Sequence, residues 1–166
     1  MDKTSDRIDC LAKEARERYI GSAPLPDPER MIKTMGGDIF DTDASSTYSV
    51  QKTNGGFAVF LPTGNERNRR LRAAQAAGET VIMRGIMSDR DWHKNWDETR
   101  YKNGNMQSAI NRFATALIMP PDEFKKTADH FTDHDGMCDM KRVAEHFNIA
   151  TNIAALRAKE LGLTKR

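Results

Sequence analysis

Cysteine is scarce in this chain, which carries only Cys10 and Cys138 among its 166 residues. Two cysteines exclude a secreted scaffold held together by disulfides, so we expect a reducing, cytoplasmic location. Apolar runs are short as well, and none approaches the ~18 residues that a membrane span requires. The polar, partly acidic start of the chain also predicts that there is no secretory signal, and we expect no membrane partner.

A surplus of charge of one sign is lacking too. Lys and Arg together number 26 and Asp and Glu number 24, which leaves a formal net charge of +2. Charge alone therefore calls for no polyanionic partner. Hydrophobic residues make up 38% of the chain and aromatic residues 7%, which is enough for the modest core of one domain at this length.

The apolar spacing changes twice along the chain, from helical to strand-like and back. Two helices are predicted first, then three short strands within residues 38–62, the last two flanking the tight turn Asn54-Gly55-Gly56. Five helices are predicted after them, over residues 66–84, 106–118, 121–131, 139–147 and 151–161. The predicted fold class is α+β, with a small three-stranded antiparallel sheet packed on helices.

We expect one compact domain with three parts. Residues 1–23 form an N-terminal helix, residues 24–135 a core, and residues 136–166 a C-terminal unit. The polar stretch 86–105 is the best candidate for a linker, since it shows no clear helical or strand period.

The C-terminal unit has the spacing of a helix-turn-helix within residues 143–163. Asn148 lies where the tight turn needs a left-handed backbone, which asparagine adopts at little cost. Its predicted small core comprises Ala144, Phe147, Ile149, Ile153, Leu156 and Leu161. If the second helix enters a DNA major groove, the residues facing bases or phosphates are Thr151, Asn152, Ala155 and Lys159. A packing module with the same spacing is the alternative.

Five arginines near the two ends of the predicted helix 66–84 form a basic cluster. Its members are Arg67, Arg69, Arg70, Arg72 and Arg84. Such a cluster binds phosphates or an acidic partner in some proteins, and in others it is the solvated face of a helix. The sequence leaves both interpretations open.

Histidine is placed poorly for metal binding or catalysis. His130, His134 and Cys138 are four residues apart and would share one face of a continuous helix. Asp135-Gly136 is predicted to break that helix, so a metal site there is only an open alternative. His93 lies between two tryptophans and could serve as a general base, but no partner is assigned to it by spacing.

Gln75 and Glu79 are four residues apart on one predicted helix face. In zinc hydrolases two histidines occupy such positions, with a glutamate after the first as general base. Here Ala76 follows Gln75, and alanine cannot accept a proton. One carboxylate without an imidazole would hold zinc weakly.

Residues 109–120, A-I-N-R-F-A-T-A-L-I-M-P, resemble the A-N-x-F-A-x-x-L-L-M-P signature of the ImmA/IrrE family of zinc-metallopeptidase-like proteins. The matching residues include Asn111, Phe113, Met119 and Pro120. The opening helix and strand, the hairpin and the terminal helix pair are similar in their order, so the resemblance covers residues 24–163. It implies a zincin-like metallopeptidase core.

The resemblance also assigns the positions of the family's metal site. With Gly78 before the second histidine, the H-E-x-x-H positions fall on Gln75, Ala76 and Glu79. The third ligand falls on Gln107, four residues before the signature asparagine. All four functional positions are changed, and residues 61–92 contain no histidine. The resemblance therefore implies the fold without zinc or any other cofactor, and we expect no catalytic residue.

Three functions follow as alternatives. Members of this family occur in phages and mobile elements and act on helix-turn-helix repressors, so a non-catalytic relative is expected to bind such a regulator by occupancy, as an antirepressor or adaptor. The second alternative is a DNA-binding transcription regulator that uses residues 143–163 and the arginines at 67–72. The third is a peptidase that recruits His93, His130 or His134 to a metal, with Glu79 as its first catalytic candidate.

Overall fold

A computed structural model describes residues 3–21, 25–86 and 106–163. It confirms the α+β class, with seven helices and a three-stranded sheet in the described ranges. The elements are α1 (Lys3–Tyr19), α2 (Pro28–Thr34), β1 (Gly37–Thr42), β2 (Ser49–Thr53), β3 (Gly56–Pro62), α3 (Glu66–Ile86), α4 (Met106–Ile118), α5 (Pro121–His130), α6 (Met140–His146) and α7 (Thr151–Glu160). No described helix has both the length and the apolar character that crossing a membrane requires.

The sheet is mixed, so the prediction of an antiparallel sheet is wrong in one of its two pairings. Its strand order is β1-β3-β2, with β2 antiparallel and β1 parallel to β3. The turn at Asn54-Gly55, where Gly55 has a φ of 95°, reverses the chain between β2 and β3 as predicted. Strand β3 lies between β1 and β2, so β1 does not pair with β2. Strand β1 runs in the same direction as β3.

One face of the sheet packs into the core. Phe57, Val59 and Leu61 of β3 are fully buried, at the period of two that strands require. On the opposite face the ring of Phe60 stacks on that of Phe40, with the centroids 5.4 Å apart. The sheet therefore supports α2 and α3 with one face and carries an aromatic pair on the other.

Helices α3 and α4 lie against each other so closely that one contact requires glycine. A Cβ atom on Gly78 would be 2.7 Å from Cδ1 of the buried Phe113 ring. Glycine here allows the ring of α4 to pack directly on the backbone of α3. The face of α3 that carries Gln75 and Glu79 thereby comes to lie beside α4.

Partly buried ion pairs connect α1 and α7 to α4. Arg112 of α4 donates two hydrogen bonds of 2.8 Å to the carboxylate of Asp9 on α1. The fully buried Arg157 of α7 donates to Glu160 at 3.1 Å and to the backbone oxygen of Met119 at 3.0 Å. Its Nη1 also lies 3.5 Å from Asp9, so one carboxylate contacts arginines of two helices.

The C-terminal pair α6–α7 has the predicted turn and, except for Leu156, the predicted core residues buried or packed against the core. Asn148 has a φ of 50°, which confirms its left-handed conformation. Phe147 is buried and stacks on Phe124 of α5. Leu156, predicted to be in the core, is 43% exposed, because α7 turns the face with Arg157 towards α4 and the ion pairs there satisfy its charge.

We expect Asp9→Asn to lower the free energy of unfolding by about 3 kcal/mol, because it removes one partner of a buried charge pair at nearly constant volume. Urea denaturation measures the change. Glu14→Gln, at an exposed position of the same helix, is the matched control and should change stability by less than about 0.5 kcal/mol. Equal effects of the two substitutions would contradict a structural role for the ion pairs.

Candidate functional site

Helix α3 carries three of the four positions that the resemblance assigns to a metal site. Gln75 is 6% exposed, and Ala76 and Glu79 are fully buried. The fourth position, Gln107, lies on the exposed first turn of α4. We call the region formed by these four residues and Asn111 the amide pocket.

Asn111 joins the two sides of the amide pocket. Its Oδ1 accepts hydrogen bonds from Nε2 of Gln75 and from Nε2 of Gln107, each at 2.9 Å. The side-chain oxygen of Gln75 in turn accepts from Nη1 of Arg72 at 2.9 Å. The predicted residues Gln75 and Gln107 are thus brought together, but through an asparagine that the resemblance marked only as part of the signature.

Glu79 is held by a residue that the sequence did not indicate as functional. The hydroxyl of Tyr48, which precedes β2, donates a hydrogen bond of 2.6 Å to Oε2 of Glu79. Both side chains are buried. Tyr48 is 31 residues away from Glu79 in the chain, so no local pattern connects them.

The chemistry available in the amide pocket is hydrogen bonding. Its amides satisfy one another, and the pocket contains no imidazole and no thiolate to hold a transition metal. Within residues 3–21, 25–86 and 106–163, no three His, Cys, Asp or Glu side chains come together in a way that could hold a metal ion. The described residues therefore offer no metal-ligand cluster to support the alternative of a peptidase with unorthodox metal ligands.

The segment with two histidines and a cysteine folds as a turn. The predicted helix break is confirmed, since α5 ends at His130 and Gly136 has a φ of 75°. The carboxylate of Asp133 accepts hydrogen bonds from two backbone N–H groups of this turn. His134 is exposed, whereas Cys138 pairs with Thr132 in an isolated bridge. His93 and its two tryptophans lie outside the described residues.

Three arginines of the basic cluster are bound to the protein itself. Arg69 forms ion pairs with Glu29 at 2.6 Å and Asp41 at 2.7 Å, and the hydrogen bond to Glu29 raises the pKa of Arg69. Arg70 donates to the backbone oxygen of Phe147, and burial lowers its pKa. Arg84 donates to a backbone oxygen of the α2 C-terminus.

The other two arginines, Arg67 and Arg72, line an open groove of about 730 Å³ between the first turns of α3 and the first turn of α7, and Arg72 also donates hydrogen bonds to Ser46 and Gln75. We call it the basic groove. The turn after β3 and Ser46 complete its walls. Its polar lining residues include Asn65, Arg67, Asn68, Arg72, Thr151 and Asn152. Four of the residues predicted to contact nucleic acid or an acidic partner thus line one groove, whereas Lys159 is exposed at the far end of α7.

No protein-family model matches this chain, and no curated protein matches it. Among solved structures, the chain is similar to a Mycobacterium tuberculosis transcriptional regulator, with a TM-score of 0.63 and 15% sequence identity. The similarity covers 93% of this chain and 46% of the regulator, so the chain spans less than half of that protein. At this identity the likeness shows a shared fold, and the resemblance to ImmA/IrrE proteins stays a prediction.

We expect Tyr48→Phe to lower the free energy of unfolding by about 1–3 kcal/mol, the range for removing the partner of a buried hydrogen-bonding group. Urea denaturation measures the loss. Tyr19→Phe is the matched control, because the described contacts of this half-buried side chain are made by its ring. If both variants were as stable as the wild type, the hydrogen bond from Tyr48 to Glu79 would not stabilise the fold.

Proposed function

We propose that this protein is a non-catalytic, metallopeptidase-like protein that binds a regulatory protein, such as a helix-turn-helix repressor, and acts by occupancy as an antirepressor or adaptor. The observation that carries the proposal is the amide pocket. Side chains that hydrogen-bond to one another occupy the positions that the resemblance assigns to zinc ligands and to the general base.

Peptide hydrolysis by a zinc enzyme requires a metal-bound water and a base that accepts its proton. Ala76 stands at the position of the base and cannot accept a proton. Glu79, the one carboxylate of the pocket, is buried and accepts a hydrogen bond from the hydroxyl of Tyr48. These substitutions remove the hydrolytic chemistry and leave the surrounding scaffold in place.

Two further observations support a regulatory role. The chain shares its fold with a protein described as a transcriptional regulator. The basic groove also offers a concave surface beside the amide pocket, because Arg72 lines the groove and donates to Gln75. A protein that acts by occupancy needs such a binding surface and no reactive group.

The metal content of the purified protein tests the first half of the proposal. We expect substoichiometric zinc by elemental mass spectrometry and a melting temperature that a chelator does not change. A variant with Gln75→His, Ala76→Glu, Glu79→His and Gln107→Glu should bind zinc if the assigned register is right. A control with Arg67→His and Leu71→His has two histidines at the same spacing but no third ligand. Stoichiometric, chelator-sensitive metal in the wild type would contradict the proposal.

Co-expression with a helix-turn-helix repressor encoded beside its gene tests the second half. We expect the two proteins to co-purify, the repressor to keep its intact mass, and repressor–operator complexes to decrease as the protein is added. Cleavage of the repressor would restore the peptidase interpretation. Binding to neither the repressor nor any other adjacent regulator would overturn the proposed function.

Direct DNA binding is the second candidate, and it is favoured by one observation. Arg67, Arg72, Thr151 and Asn152, predicted from separate motifs, line the same groove. In the operator assay this function would appear as a shift caused by the protein alone. The shift should weaken steeply with salt, because arginines that contact phosphates release counterions.

A further inference from the structure

We infer that the basic groove is the docking site for an extended acidic segment of the partner protein, one that also carries large apolar side chains. This inference rests on the proposed function and specifies its partner and its surface. The charge of the groove, its partly apolar lining and its shape support it.

The charge of the groove is of one sign. Both charged residues that line it are arginines, Arg67 and Arg72, and its lining includes no carboxylate. Arg67 is half-buried and has no hydrogen-bond or ion-pair partner among the described residues, unlike Arg69 and Arg70 in the same helix. An arginine held at a concave surface without an internal partner favours a carboxylate from outside, since the two can form paired hydrogen bonds.

Arg72 presents its charge in a fixed position. Its Nε donates to the backbone oxygen of Ser46 at 3.2 Å, and its Nη1 donates to Gln75 at 2.9 Å. Both acceptors are neutral, so the positive charge is oriented but not neutralised. A prearranged charge costs little conformational entropy when an anionic partner binds.

The groove is also partly apolar. Leu71 and Ile153 line it and are half-buried, so each leaves part of an apolar side chain exposed in the groove. Apolar surface of this kind is stabilised by contact with aliphatic or aromatic side chains. A segment that has only acidic side chains, or a bare phosphate backbone, would leave this part of the groove without a matching contact.

The shape favours an extended polypeptide over a DNA duplex. A helix that reads DNA must project into a major groove about 12 Å wide. Here the first turn of α7, with Thr151 and Asn152, forms one wall of a groove whose other walls are α3 and the turn after β3. The groove volume of about 730 Å³ is within the range of sites that enclose small ligands or short peptide segments.

Selection of peptides from a random 12-residue phage library on the full chain tests the inference. We expect the enriched sequences to combine at least two carboxylates with a leucine, isoleucine or phenylalanine. Synthetic peptides of these sequences then give Kd values by isothermal titration calorimetry. Amide shifts in NMR spectra should change at residues 65–72 and 149–153. Enrichment of basic or uncharged sequences would overturn the inference.

Matched variants assign the binding to the groove. Arg67→Ala should weaken the selected peptides by about tenfold or more, as expected for the loss of a charge-assisted hydrogen bond. Arg30→Ala removes an exposed arginine of α2 that does not line the groove and should change Kd by less than about twofold. Asn152→Asp should also weaken binding without unfolding the protein, because an acidic residue is favourable in the first turn of a helix. Peptide binding that is indifferent to Arg67→Ala would overturn the inference.

Two comparisons separate this inference from the proposed function. If the repressor co-purifies equally well with the wild type and with Arg67→Ala, the proposed function holds and the groove inference is wrong. If no regulator binds but acidic peptides bind in the groove, the reverse is true. A labelled DNA duplex that displaces the peptides, with the same dependence on Arg67, would make the groove a nucleic-acid site and overturn the inference.

Discussion

The arrangement of the helices depends on the ion pairs that meet at Asp9. Burial lowers the pKa of Arg112, but the hydrogen bond and charge of Asp9 outweigh it, so the pKa is raised. For Arg157 burial prevails over the charges of Asp9 and Glu160, so its pKa is lowered. Isolated charges at these depths would be strongly unfavourable, so the carboxylates and arginines must stay together. Their partnership fixes α1 and α7 on α4, although the two helices lie at opposite ends of the chain.

Helix α4, which these ion pairs hold in place, also contacts the candidate site. The ring of Phe113 packs on Gly78 of α3, and Asn111, two residues earlier, connects Gln75 to Gln107. The amide pocket is therefore also a polar contact between the two central helices. Hydrogen bonds among its amides and between Tyr48 and Glu79 give the polar side chains at this contact partners within the protein.

The contacts made by the arginines of α3 are consistent with the proposed role by occupancy. Most arginines of α3 hold the fold together, and Arg67 is the member of the basic cluster left to a partner within the described part of the chain. Arg72 belongs to both the groove and the amide pocket. Binding in the groove would therefore contact the same hydrogen-bond network that includes Gln75.

Features that depend on neighbours along the chain could be predicted from the amino-acid sequence. Helical periods indicated α3 and α4, Asn54-Gly55 indicated the hairpin, Asn148 indicated a left-handed turn, and the sequence itself shows that residues 61–92 contain no histidine. Tertiary structure decided the rest, because the partners involved are far apart in sequence. It placed β3 between β1 and β2 and turned Arg157 inward in place of Leu156. It joined Tyr48 to Glu79 and divided the arginines between internal ion pairs and the groove, since only packing determines which charges find a partner.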